Sequence, residues 1–289
     1  MKLGAHVSIQ GGVDTAPDRA KAIGGETFQI FTKSQRQWNA KPLDPKQAHA
    51  FREKIVENGF SQACVHASYL INLASPKQDI LQKSRAAMID ELLRAATLAL
   101  PYVIVHSGAH MGEGEKSGLK RLAESIEFVL SRATGAERVK LLLENSAGQG
   151  TTLGADLAHL RWIREMFSGE DRLGFCLDTC HLYAGGYNFE TPSAYAALKA
   201  EIDQKVGIDR IYVLHFNDSR KPLGSRLDQH ENIGRGKIGE APFAYWVTDP
   251  DWNHTIAVLE TPGGEQNYQR ELNLLKQFRD GAPRSSQSR

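Results

Sequence analysis

Eight short apolar runs, rich in β-branched or aromatic residues, alternate along the chain with amphipathic segments of helical length. They occupy residues 3–7, 27–31, 63–65, 102–105, 140–143, 173–177, 211–214 and 255–259. Short apolar runs between turn signals read as buried strands, and the longer periodic segments between them read as helices. Three helices carry a capping residue followed by proline, at Asp44-Pro45, Ser75-Pro76 and Thr191-Pro192. Within residues 75–100, Ile80, Leu81, Met88, Ile89, Leu92 and Leu93 recur at helical spacing. Eightfold strand–helix alternation predicts an α/β chain folded as a single (β/α)8 TIM barrel over residues 1–280, without a second domain. The last residues, G-A-P-R-S-S-Q-S-R at 281–289, are expected to form a disordered tail.

A barrel of this kind gathers the carboxyl ends of its strands on one face, where chemistry is done. Six of the runs lead directly into His66, His106, Glu144, Asp178, His215 and Glu260. Side chains two apart on a strand share a face, so Ile104 and His106, Leu142 and Glu144, and Val258 and Glu260 point the same way. Further on, the stretch 214–239 supplies Asp228-x-His230 in a glycine-punctuated loop able to fold back over His215, and His181 follows Asp178 by three residues. The nine candidates comprise five histidines and four carboxylates, with no lysine or arginine at the strand ends to offset them. Four buried carboxylates without cations are prohibitively costly. A divalent metal offsets them, and imidazole with carboxylate favours Zn²⁺ or Mn²⁺. Nine ligands exceed what one tetrahedral ion needs, so two or three ions with a bridging carboxylate are expected. Asp178 and His181 are expected to serve two neighbouring ions rather than one. Cys180 reads as a packed thiol rather than a soft ligand, and Asn145 and Gln149 as groups that orient Glu144 or a phosphate oxygen. His6 is expected to face the barrel beside the cluster, and His49, His110, His159 and His254 to lie on the surface or in loops.

Composition narrows the class. Of 289 residues, 41% are hydrophobic and 24% charged, enough to build a large core. The net charge of +1 gives no general pull toward polyanions, so any nucleic-acid contact must come from local cations. Three cysteines, Cys64, Cys176 and Cys180, read as reduced thiols of a cytoplasmic protein. The opening M-K-L-G-A-H-V is not expected to be a signal peptide, and no apolar run reaches the ~18 residues of a membrane span.

The blocks F-T-K-S-Q-R-Q-W (31–38), H-A-S-Y-L-I-N-L-A (66–74), E-N-S-A-G-Q-G (144–150), C-L-D-T-C-H (176–181), H-F-N-D-S (215–219), D-Q-H-E-N-I-G (228–234) and L-E-T-P (259–262) resemble endonuclease IV. That family comprises the zinc-dependent endonucleases of base-excision repair that act at apurinic/apyrimidinic sites. The blocks stand in the family's order and span nearly the whole chain.

The resemblance implies three zinc ions. One would be held by His66, His106 and Glu144, and the second by Glu144 as a bridge with Asp178, His215 and Glu260. His181, Asp228 and His230 would hold the third, with Mn²⁺ able to replace Zn²⁺ at one site. Glu144 would be the catalytic bridge that orients the nucleophile. Arg36 and Tyr69 match positions that enter the DNA stack where the abasic nucleotide is flipped out. The implied substrate is double-stranded DNA carrying an abasic site, cut on its 5′ side by a monomer that does not bind membranes. The implied products are a 3′-hydroxyl and a 5′-deoxyribose phosphate, with trimming of blocked 3′ ends as a further activity. Lys33, Gln35, Trp38, Arg220, Lys221, Arg226, Arg235 and Lys237 are expected near the DNA backbone. Gln229 replaces a common arginine, which puts one phosphate contact in doubt, and Asn188 replaces a common aspartate. The rival readings are a metal-dependent sugar isomerase or epimerase on the same barrel, and a binding module that has lost catalysis. The first gives no reason for His181, Asp228 and His230, and the complete ligand set argues against the second.

Overall fold

In the computed structural model, which describes residues 1–281, the apolar runs form eight parallel strands closed into a barrel. The barrel strands are β1 (Lys2–His6), β2 (Thr27–Ile30), β3 (Cys64–His66), β4 (Tyr102–His106), β5 (Lys140–Glu144), β6 (Leu173–Asp178) and β7 (Ile211–His215). A two-stranded hairpin, β8 (Asp218–Ser219) with β9 (His230–Glu231), then precedes the last barrel strand, β10 (Ile256–Leu259). β10 pairs with both β7 and β1, which closes the ring. The expected fold class is therefore observed, with the strand-end histidines and carboxylates inside the strands rather than just beyond them, except at Glu260.

Alternation along the strands separates two cores. Outward residues such as Phe28, Val103, Leu143 and Phe175 pack against the helices, while Cys64, Ile104, Leu142, Cys176, Val213 and Val258 fill the barrel interior. Where β6 meets β7 the register slips between Phe175 and Cys176, opposite Ile211 and Val213. Tyr212 is thereby free to stack on Tyr102, with ring centroids 5.3 Å apart, near the amino-terminal end of the strands. Gly174 makes room for it, since a β-carbon there would lie 2.6 Å from the Tyr212 ring. With that end filled, the carboxyl-terminal face is left for the polar side chains.

The helices are α1 (Ala16–Ala22), α2 (Pro45–Glu57), α3 (Gln78–Thr97), α4 (Glu115–Arg132), α5 (Leu157–Met166), α6 (Thr179–Gly185), α7 (Pro192–Lys205), α8 (Ala241–Thr248) and α9 (Glu265–Arg279). Asp44 caps α2 through Lys46 N–H, and Thr191 caps α7 through Ala194 N–H, as expected. Such caps contribute about 1 kcal/mol each. Ser75 does not cap α3. Its hydroxyl accepts from Lys77 N–H within a turn, and the helix begins at Gln78. The buried face of α3 includes Leu81, Met88 and Leu92 from the sequence pattern together with Ser84, Ala87, Glu91, Arg94 and Ala95; Ile89 packs half-buried on the core, and Leu93 faces solvent. Gly281 ends the described chain in a turn; the expectation of disorder at 282–289 lies outside the described residues. Among the described residues, no helix is long and apolar enough to cross a membrane.

Candidate metal centre

The strand ends bring His66, His106, Glu144, Asp178 and His215 to one rim, and Glu260 follows β10 by one residue. Register fixes their neighbours: His106 pairs with Glu144, and Asp178 with His215. His181 enters from the first turn of α6, where the Asp178 carboxylate caps the helix by accepting from His181 N–H at 2.8 Å. The β8–β9 hairpin folds residues 228–230 back over the same point. Asp218 holds its far end, accepting from the N–H groups of Gly234, Gly236 and Ile238 at 2.9–3.0 Å.

Glu144 stands at the middle. Its Oε2 lies 3.0 Å from His66 Nε2 and 3.5 Å from His106 Nε2, while Oε1 lies 3.1 Å from His215 Nδ1 and 3.3 Å from His181 Nδ1. His215 Nδ1 is 3.4 Å from Glu260 Oε2 and 3.9 Å from Asp178 Oδ2. Asp228 spans His181 and His230, one oxygen 3.2 Å from each Nε2, and His230 Nε2 is 3.5 Å from Asp178 Oδ2. All nine candidates thus join in one network.

Their donor atoms converge in overlapping sets. Glu144, Asp178, His215 and Glu260 form one. Two further sets are His66, Glu144 and His215, and Asp178, His181 and His230. Cys180 also comes within 4.8 Å of Asp228 and His230 donor atoms. Burial pushes its thiol up to about 12, which favours the packed, protonated form.

Two observations show that the residues fit a cation. Nε2 of His181 and of His230 are buried and make no hydrogen bond, although each lies 3.2 Å from an Asp228 oxygen. Buried polar atoms are normally satisfied, and these two aim at a shared centre. Among the described residues, no lysine or arginine forms an ion pair with Glu144, Asp178, Asp228 or Glu260. Instead the carboxylates favour protons on His66, His181, His215 and His230, whereas at His106 burial prevails and lowers the imidazole. Burial opposes the charge on His66, yet its bond to Glu144 lifts it to about 9, and Asp178 and Asp228 likewise outweigh burial to lift His230 to about 9. Burial would raise Glu144, but the surrounding imidazoles of His215, His106 and His181 hold it well below the usual carboxylate range. A divalent cation would take over the role of those protons.

The wall is closed on one side and open on the other. The side chains of Glu144, Asp178, His181 and His215 are at most 3% exposed, whereas His106 and Asp228 are 41% and 40% exposed. The cluster is therefore open to solvent on the His106 and Asp228 side.

Several groups that hold the cluster carried little signal in the sequence. Asn217 donates to Asp178 Oδ2 at 2.7 Å and accepts from Glu260 N–H at 2.8 Å. Asn145 orients His181 rather than Glu144, because its carbonyl meets His181 Nδ1 at 3.0 Å and its side-chain oxygen accepts from Asp178 N–H. His6 lies 3.7 Å from Glu260 as expected, and Gln29 reaches both. His159, expected on the surface or in a loop, lies in α5, and its Nδ1 accepts from Gly154 N–H.

Arg36 and Tyr69 project from the loops after β2 and β3, and both are exposed. Ser68 ties the two loops by donating to the Gln35 carbonyl at 2.6 Å. Lys33 departs from its expected place at the DNA backbone. It is buried and bonded to Asp90 at 2.6 Å, with Glu91 at 3.4 Å, so it braces the loop against α3. Trp38 packs half-buried on the core, whereas Arg226, Arg235 and Lys237 are exposed.

A closed barrel with imidazoles and carboxylates at the strand ends belongs to the class of xylose isomerase-like TIM barrels, and the family model of that description matches residues 17–278. A Chloroflexus aggregans protein named "Probable endonuclease 4" is 44% identical over 273 residues, 94% of this chain and 95% of the relative. The crystal structure of endonuclease IV from Thermus thermophilus superposes with a TM-score of 0.86 at 36% identity, covering 98% of this chain and 100% of that one. The chain belongs to the endonuclease IV family. A D-psicose 3-epimerase from Clostridium cellulolyticum shares the fold alone, at TM-score 0.69 and 16% identity over 97% of this chain and 99% of that one.

Proposed function

We propose that this chain hydrolyses the phosphodiester on the 5′ side of an abasic site in double-stranded DNA. The products are a 3′-hydroxyl and a 5′-deoxyribose phosphate, and the same centre trims blocked 3′ ends in base-excision repair. The observation that carries this reading is the single network of nine side chains around Glu144, in a chain of the endonuclease IV family.

Three zinc ions fit the donor set, with Mn²⁺ able to occupy one position. The first is assigned to His66, His106 and Glu144, and the second to Glu144, Asp178, His215 and Glu260. The third falls to His181, Asp228 and His230. When bound, such ions make water nucleophilic near neutral pH and offset charge on the phosphoryl and leaving oxygens. The chain's own part is positional. Glu144 gives one oxygen to the His66 and His106 side and the other to the His215 and His181 side, so it would be the residue shared between neighbouring ions. Asp178 is locked by Asn217 and by the Asp178–His181 cap, so its free edge cannot swing. The exposed edges of His106 and Asp228 leave room for a phosphate.

Arg36 and Tyr69 serve the DNA stack, a cation and an aromatic ring on two loops that the Ser68–Gln35 hydrogen bond joins. Exposed Arg226, Arg235 and Lys237 supply local positive charge for the backbone that the net charge does not. The protein works as a monomer. The three buried, unpaired cysteines are suited to the reducing cytoplasm.

Incubating the purified protein with an abasic duplex and, separately, with a ketose tests the reading. Nicking on the 5′ side of the lesion, abolished by chelator, with the ketose unchanged, is the expected result. Epimerised ketose beside an intact duplex would overturn it.

A further inference from the structure

Gln29 on β2 points into the barrel directly beneath the centre and is completely buried. Its amide is fully used. Oε1 accepts from His215 Nε2–H at 2.9 Å and from the Cys64 thiol at 3.4 Å. The amide nitrogen donates to Glu260 Oε1 at 2.5 Å and lies 2.9 Å from His6 Nδ1. The reversed amide would set its oxygen against the Glu260 carboxylate and its NH₂ against an imidazole N–H. The hydrogen-bond network therefore fixes which end points where.

Two consequences follow for the residues above it. A proton held on His215 Nε2 leaves the lone pair on Nδ1, which faces Glu144 Oε1 at 3.1 Å and Glu260 Oε2 at 3.4 Å. A lone pair directed at carboxylate oxygens is repulsive unless a second proton or a metal cation lies between them, and the bound cation takes the place of that proton. The bond to Glu260 Oε1, meanwhile, leaves Oε2 to turn toward that same point. An apolar side chain of similar length would fill the space, but it would bury the His215 N–H and the Glu260 oxygen without partners, which is costly.

We propose that Gln29 is a positioning residue of the metal centre: its one amide selects the His215 tautomer and turns Glu260, so that Nδ1 and Oε2 face a common cation. This rests on the reading that the cluster holds metal. Gln29 itself touches neither substrate nor ion.

The test begins with the zinc-loaded wild-type protein, whose histidine nitrogens are read by ¹⁵N NMR. His215 should carry its proton on Nε2. Competition with a chromophoric chelator should show one ion held 10- to 100-fold more weakly in Gln29→Met, the usual effect of removing a group that orients a ligand. The other ions should be unaffected, and incision lost at limiting zinc should return with excess zinc. Gln29→Glu keeps an acceptor for His215 but sets a second carboxylate against Glu260. It should weaken the same ion while preserving the Nε2 proton, and it decides the matter if Gln29→Met does not fold. A wild-type protein that binds no zinc would overturn the metal centre and this role with it. Zinc bound equally well by wild type and both variants, or a His215 proton on Nδ1, would overturn the role of Gln29 alone.

Discussion

Glu144→Gln is expected to reduce incision by about a thousandfold or more, with loss of bound metal. The carboxamide keeps the shape of the side chain, so the barrel should fold. One of its ends, however, becomes an NH₂ that must face either the His66 and His106 edges or the His215 and His181 edges, each within 3.0–3.5 Å. That end can no longer ligate, and the bridge is broken. Metal stabilisation of transition-state charge is worth several kcal/mol, and a loss of about 4 kcal/mol corresponds to about a thousandfold in rate. Single-turnover incision of a labelled abasic duplex, read together with metal content, checks it. A variant that kept full metal and a tenth of the rate would show that Glu144 is not the bridge.

Asp228→Asn is the second large effect. Both of its oxygens are engaged, one toward His181 and one toward His230, and it sits on the open edge of the site. Replacement should remove one ion and leave the others, with a rate loss on the order of a hundredfold, about 2.7 kcal/mol. Because the side chain is 40% exposed, the metal-free protein should lose less thermal stability than it does on replacing buried Glu144, although the carboxylate facing His181 and His230 is gone. The same substitution depth at fully buried Glu144 carries a larger structural cost, so the two variants separate chemistry from folding. Unchanged metal content in Asp228→Asn would remove the hairpin from the centre.

These residues were legible because the barrel turns a linear rule into a spatial one. A polar residue at the end of an apolar run has no room to hide once six such ends meet on a rim, as His66, His106, Glu144, Asp178, His215 and Glu260 do. Asp228 and His230 could be read as folding back because glycines follow them, and Asp218 provides the anchor that makes the fold-back specific. The alternation rule could also have exposed Gln29, an inward position on T-F-Q-I, but a single glutamine in a short strand has no ligand chemistry to draw attention. Lys33 misled for the opposite reason. A lysine beside Arg36 reads as a DNA contact, yet the partners that bury it, Asp90 and Glu91, lie on α3, far along the chain. Grouping of ligands into ions was equally beyond reach, because His215 Nδ1 stands between three carboxylates and spacing along the chain cannot say which it favours.

On this reading the single network of nine side chains holds catalytic metal. Elemental analysis of purified, active protein tests it most directly. Three transition ions per chain, predominantly zinc, are expected. Fewer than two in fully active material would contradict it.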